Sequence, residues 1–224
     1  MIRWKAFNKE VDKKLIPVKT LVMAGYPTLI CIPDISGFTQ FMSEAEFELS
    51  SKIIPSLLNK IIYSNEIGLK VSEIEGDSIL FFKQGELPNF QDLIYQCKHF
   101  HSEFYKQLKK LRTAQTNKPG GDQIPKILGL KIILHYSNEI GMVPVGNHIK
   151  LMGEDVIVAH RLLKNKVPLE EYLLLSDDLL EAYGRDNQER STELLKFQKG
   201  VLQIKHIGKI GFHYLGLSSP EVNT

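Results

Sequence analysis

Short apolar runs alternate with amphipathic stripes along this chain, and that alternation constrains its fold more than any other feature. Leu29-Ile-Cys-Ile-Pro33 is a compact apolar run of the kind that fills a buried strand. The segment 34–39 reads as a turn, after which Phe47, Ile53, Ile54, Leu57, Leu58, Ile61 and Ile62 recur at helical spacing up to Asn65. Pro55 lies inside that stripe and predicts a kink or a break, because proline has no N–H to donate. Segments 71–75 and 78–82 read as strands joined at Gly76-Asp77 in a tight hairpin. A second helix is predicted over 90–111, with a basic C-terminal end, followed by an exposed loop over 113–125 around Gly120-Gly121. Strands at 128–136, 142–145 and 149–152 precede a helix at 154–163. A strand at 172–175, a short helix at 178–183 and strands at 201–207 and 211–215 complete the pattern. Such interleaving predicts an α/β (α+β) domain built on one mixed sheet, with helices on one face.

Composition narrows the function classes. Of 224 residues, 43% are hydrophobic and 24% charged, as in a folded soluble domain. The net charge of +2 gives no electrostatic case for DNA, RNA or an anionic membrane as a partner. No apolar run reaches a membrane-spanning length, and Lys13, Lys14 and Lys19 interrupt any signal-peptide core. Cys31 and Cys97 cannot form a disulfide framework, so the expected location is the reducing cytoplasm.

Two acidic residues stand out, each at the end of a predicted strand in a glycine-bearing turn: Asp34 in Ile-Pro-Asp-Ile-Ser-Gly-Phe-Thr, and Asp77 in Glu-Ile-Glu-Gly-Asp-Ser-Ile-Leu. If their strands are neighbours, both carboxylates reach one edge of the sheet. Paired carboxylates suit hard divalent cations, which take oxygen ligands and bind triphosphates. Taken singly, each aspartate reads first as a turn residue satisfying nearby backbone amides, and only the two together point to metal. Cys97, His99 and His101 resemble a metal cluster by composition, but only Cys97 and His101 share a helix face, and a core role fits them better. His160 reads as a partly buried helix residue and the basic run 106–112 as a solvated helix end. Ser176, ahead of two aspartates, suits a helix N-cap.

The Asp-Ile-x-Gly-Phe-Thr segment, followed about forty residues later by a Gly-Asp hairpin, resembles the class III nucleotidyl cyclase catalytic domain. Gly153-Glu-Asp-Val-Ile-Val-Ala-His-Arg-Leu162 is similar to that family's Gly-x-x-Val-Asn-x-Ala-x-Arg-Leu helix. Residues 204–215 are similar to its closing hairpin. The blocks follow the family order over roughly residues 28 to 217. The strings Ile-Pro-Asp-Ile-Ser-Gly-Phe-Thr, Glu-Ile-Glu-Gly-Asp and Ala-His-Arg-Leu-Leu-Lys-Asn resemble most closely a group of bacterial proteins of unknown function within that superfamily. The domain is therefore expected over 27–217, with an N-terminal extension over 1–26 and a tail over 218–224.

The resemblance implies a ferredoxin-like fold and a homodimer with shared active sites. It implies two Mg²⁺ or Mn²⁺ ions held by Asp34, Asp77 and the backbone carbonyl of Ile35. Amides around Ser36, Gly37 and Phe38 would cradle a nucleoside triphosphate. Arg161 and Lys205 would stabilise charge at the transferring phosphorus, with Lys209 as the alternative to Lys205. Glu73 and Lys150 fall at the base-selecting positions, where they either read a base or simply pair with each other. Ile157 stands where the family has a ribose-orienting asparagine. Two functions follow: a nucleotide cyclase releasing a 3′,5′-cyclic nucleotide and pyrophosphate, or a nucleotide-binding regulatory module with little or no turnover. A third reading is a fold turned to an unrelated ligand or partner.

Overall fold

The apolar run at 29–33 fills the middle of β1 (Tyr26–Ser36) and does not alternate, because both faces of this strand are covered. Leu29, Cys31 and Ile35 enter one hydrophobic cluster while Ile30 and Ile32 enter another, since successive side chains point to opposite sides. A computed structural model of the chain describes residues 25–115, 127–145, 148–184, 194 and 196–218. Residues 1–24 of the expected extension, 116–125 of the expected loop and 219–224 of the expected tail lie outside the described residues.

After β1 come α1 (Phe38–Glu44), α2 (Phe47–Tyr63), β2 (Lys70–Glu75), β3 (Ser78–Gln84), α3 (Phe90–Gln115) and β4 (Gly129–Val145). Then follow β5 (His148–Met152), α4 (Glu154–Leu162), β6 (Tyr172–Ser176), α5 (Asp177–Ala182), β7 (Gln198–Ile204) and β8 (Gly208–Gly216). The sheet order is β2-β3-β1-β4-β6-β8-β7, with β5 paired to β4 off this path. β4 and β6 run parallel and the other pairs antiparallel, so the sheet is mixed, as the interleaved pattern predicts.

Helices cover both faces of the sheet, not one. Ile53, Leu57 and Ile61 of α2 and Phe100 and Phe104 of α3 pack on the first cluster. Val158, Ala159 and Leu162 of α4 pack on the second, against Ile30, Ile32, Ile133 and Leu174. That second face decides the site, because alternation along β1 and β4 places Asp34 and Lys131 on it too. α2 runs unbroken through Pro55, which lies on its exposed side, where water can satisfy the carbonyl that the missing N–H leaves free. The two strands expected at 128–136 and 142–145 are one 17-residue strand, because Ser137 and Ile140 carry the pairing with β1 across a bulge, past the point where the apolar pattern alone ends. Among the described residues no helix is long and apolar enough to cross a membrane.

Candidate active site

β1 lies beside β3, with Asp34 opposite Ser78, so the β2–β3 turn sits against the end of β1. Gly76 takes a positive φ of 61° in that turn, and the Ile35 N–H donates to the Asp77 carbonyl at 3.0 Å. The two carboxylates thereby share one cavity of about 370 Å³, lined also by Ile35, Ser36, Gly37 and Phe38. Lys131, which the motif reading passed over, faces Asp34 from β4, its Nζ 3.1 Å from Oδ1. A charged residue inside the apolar run 128–134 was the signal that could have found it.

The electrostatics of this cavity are mixed. Burial pushes the Asp77 carboxyl above its usual range and the Asp34 charge adds to this, while Lys131 and Lys164 pull the other way. Burial would lower Lys131, but the Asp34 carboxylate beside it, together with Tyr172 and Asp77, more than offsets this and holds its ammonium form beyond the ordinary lysine range. Asp34, Asp77 and the Ile35 carbonyl are hard oxygen donors that fit Mg²⁺ or Mn²⁺. A half-buried carboxylate repelled by its neighbour is also the electrostatic situation that a divalent cation relieves.

The turn that follows is pinned from behind. Ser36 Oγ donates to the Glu170 carbonyl at 2.6 Å. Gly37 has φ of 76°, and a Cβ there would lie 2.3 Å from the Ile127 carbonyl oxygen, so glycine is required. Next door, Glu171 accepts from Tyr105 Oη at 2.6 Å and from the Leu130 N–H at 3.1 Å, with His101 Nε2 at 3.2 Å. Burial alone would raise its carboxyl, yet these partners hold it below the usual range. His101 is thus engaged with Glu171, and Cys97 is a buried free thiol beside Cys31. Among the described residues no group of three His, Cys, Asp or Glu side chains could hold a metal.

Arg161 and Lys205 come together elsewhere, in a groove of about 340 Å³ with Lys164, Leu202, Gln203 and Ile204. Lys205 opens the β7–β8 turn, whereas Lys209 lies on β8 opposite Gln203 and does not line that groove. Ile157, one turn before Arg161, is 53% exposed although its neighbours Val158 and Ala159 are buried. Glu73 and Lys150 form an ion pair at 3.0 Å between β2 and β5, and neither lines the aspartate cavity. The Glu73 carboxylate raises the exposed Lys150 ammonium above its ordinary range.

Sequence reasoning also missed a polar bracket under α4. Buried His135 on β4 contacts Ser176 Oγ through Nδ1 at 2.8 Å and Asp155 Oδ1 through Nε2 at 3.2 Å. Ser137 Oγ donates to the other Asp155 oxygen. Ser176 caps α5 as expected, accepting from the Leu179 N–H at 3.2 Å. The bracket ties the first turn of α4 to the sheet and so helps to set where Ile157 and Arg161 stand. Only contact in space links these residues; no local pattern does.

With that geometry, the fold is that of adenylyl and guanylyl cyclase domains. The adenylyl cyclase CyaB from P. aeruginosa is 14% identical, with a TM-score of 0.61 over 87% of this chain and 96% of that one. The guanylate cyclase domain of RhGC from Catenaria anguillulae, solved in complex with GTP, is 18% identical, with a TM-score of 0.57 over 85% of this chain and 96% of that one. At such identities the likeness is one of fold. By sequence the chain is 26% identical over 157 residues to the uncharacterised protein Rv2561/Rv2562 of Mycobacterium tuberculosis, covering 69% of each. The chain belongs to the family described as protein of unknown function DUF2652, whose model matches residues 54–172.

Proposed function

We propose that this protein is a metal-dependent nucleotide cyclase that acts as a homodimer, converting a nucleoside triphosphate to its 3′,5′-cyclic nucleotide and pyrophosphate. One observation carries this reading: Asp34, Asp77 and Lys131 share one cavity, while Arg161 and Lys205 line a different groove of the same chain. A site split this way is completed when two copies pack head to tail, so that the partner subunit's Arg161 faces the aspartates. Two Mg²⁺ or Mn²⁺ ions held by Asp34, Asp77 and the Ile35 carbonyl would supply acidity at the ribose 3′-hydroxyl and neutralise triphosphate charge. The amides of Ser36, Gly37 and Phe38 hold phosphate oxygens in this reading, and Lys131 adds a fixed positive charge beside them. Arg161 meets the charge that builds on the transferring phosphorus with a planar fork of donors, and Lys205 supports it. Glu73 and Lys150 offer a carboxylate acceptor and an ammonium donor to a base edge. The two free, buried thiols suit the reducing cytoplasm.

A second reading has one specific observation behind it. An exposed isoleucine at 157 cannot hydrogen-bond a ribose, which favours a nucleotide-binding module with slow or no turnover. One experiment separates the two. Purified protein is incubated with Mn²⁺ and each of the four ribonucleoside triphosphates, and products are identified by mass. The cyclase reading expects a cyclic nucleotide and pyrophosphate from at least one triphosphate. Binding of a triphosphate without any such product favours the module.

A further inference from the structure

Lys164 is the residue common to the two cavities: it lines the groove of Arg161 and Lys205 and also the cavity of Asp34, Asp77 and Lys131. Among the described residues it has no carboxylate partner, whereas Lys131 is engaged with Asp34. Its placement is built by the chain around it. The Lys164 N–H donates to the Arg161 carbonyl at 2.9 Å, closing the end of α4. The Asn165 side-chain amide donates to the Leu162 carbonyl and to Tyr172 Oη, each at 2.7 Å, and its oxygen accepts from the Val167 N–H at 2.8 Å. The segment after α4 is thereby fastened to β6 at the edge of the aspartate cavity.

A free ammonium facing two carboxylates opposes a bare metal ion but attracts an anion that arrives with the metal. On a four-carbon stem it can follow phosphate oxygens as they move. We propose that Lys164 binds the phosphate chain of the triphosphate held at Asp34 and Asp77 of its own protomer, a contact in cis, while Arg161 one turn earlier serves the partner's site. The proposal rests on the cyclase reading above.

The test measures binding by calorimetry, with Mn²⁺ alone and with Mn²⁺ plus inorganic tripolyphosphate, on wild type, Lys164→Gln, Lys164→Arg and Asp34→Ala. Lys164→Gln should weaken tripolyphosphate binding by about tenfold, the factor carried by one charge-assisted hydrogen bond, while Mn²⁺ alone binds as well or better. Lys164→Arg should recover most of the loss. Mixed Asp77→Ala and Lys164→Gln protomers should show no intact tight site, because a cis contact leaves every aspartate pair without its lysine. Recovery of a tight site in that mixture would overturn the cis assignment. Equal tripolyphosphate binding by Lys164→Gln and wild type, with Asp34→Ala impaired, overturns the contact and leaves the cyclase reading standing. Absence of any Mn²⁺-dependent binding by wild type overturns both.

Discussion

Asp77 holds its proton more tightly in the folded chain than an ordinary carboxylate, because burial and the Asp34 charge disfavour its anion. Below the unfolded carboxylate range both states are protonated and nothing is lost. As pH rises through that range toward the folded value, the ionised form costs stability, and the cost persists at neutral pH. Asp77→Asn should therefore melt at a higher temperature than metal-free wild type at neutral pH. The difference should vanish in acid, and thermal unfolding across pH reads it directly. Ile157 poses the converse question, about rate. It is exposed on α4, so Asn can replace it at little cost in helix propensity. If the missing amide limits turnover, Ile157→Asn should raise the rate of cyclic nucleotide release by about tenfold or more. A folded variant that binds triphosphate but turns over no faster than wild type would rule that out. Both residues were legible in sequence, one as a carboxylate in a glycine turn and the other as a gap in a motif. Lys131 and His135 were not, because each acquires its partner only from a strand or helix distant in sequence.

Between elements, two joints position the site. The first is the β1–α1 turn, where Gly37 takes a backbone conformation that costs other residues about 1–2 kcal/mol. Alanine would add the contact with the Ile127 carbonyl oxygen, so Gly37→Ala should lower stability by at least that amount in urea denaturation. The second joint is the bracket beneath α4. The hydrogen bond with His135 draws the Asp155 carboxyl below its usual range, burial works against this, and Ser137 adds to it. A lowered carboxylate contributes stability that is present above the unfolded range and is lost as pH falls through the folded value. Asp155→Asn should therefore destabilise the protein at neutral pH, with the gap from wild type closing in acid, as followed by circular dichroism melts. Glycine announced the first joint in the sequence. The second was silent, since Asp155 on α4, His135 on β4 and Ser176 on β6 meet only when β4 and β6 pair in parallel.

For the whole molecule, the division of the site into an aspartate cavity and an arginine groove makes assembly testable. In the proposed head-to-tail dimer, mixing Asp77→Ala and Arg161→Ala protomers at equal concentration makes about half the dimers mixed, each with one intact site. Cyclic nucleotide formation should return to about a quarter of the wild-type rate. Mixing that restores nothing, or sedimentation showing monomer alone at micromolar concentration, would remove the shared-site arrangement. What the sequence determined by itself was local: the strands and helices follow from apolar spacing, and the two turns bearing Asp34 and Asp77 from glycine and strand-end chemistry. Even there, apolar spacing ended β4 too soon and put too much weight on Pro55, because ladder hydrogen bonds and solvent access are not written in side-chain pattern. Tertiary structure decided which strands are neighbours, and so that Asp34, Asp77 and Lys131 share a cavity while Arg161 does not line it. It also put α4 on the opposite face from α2 and α3. The reason is physical: a side chain's charge state and reach depend on what lies across the sheet from it, and register between distant strands sets that.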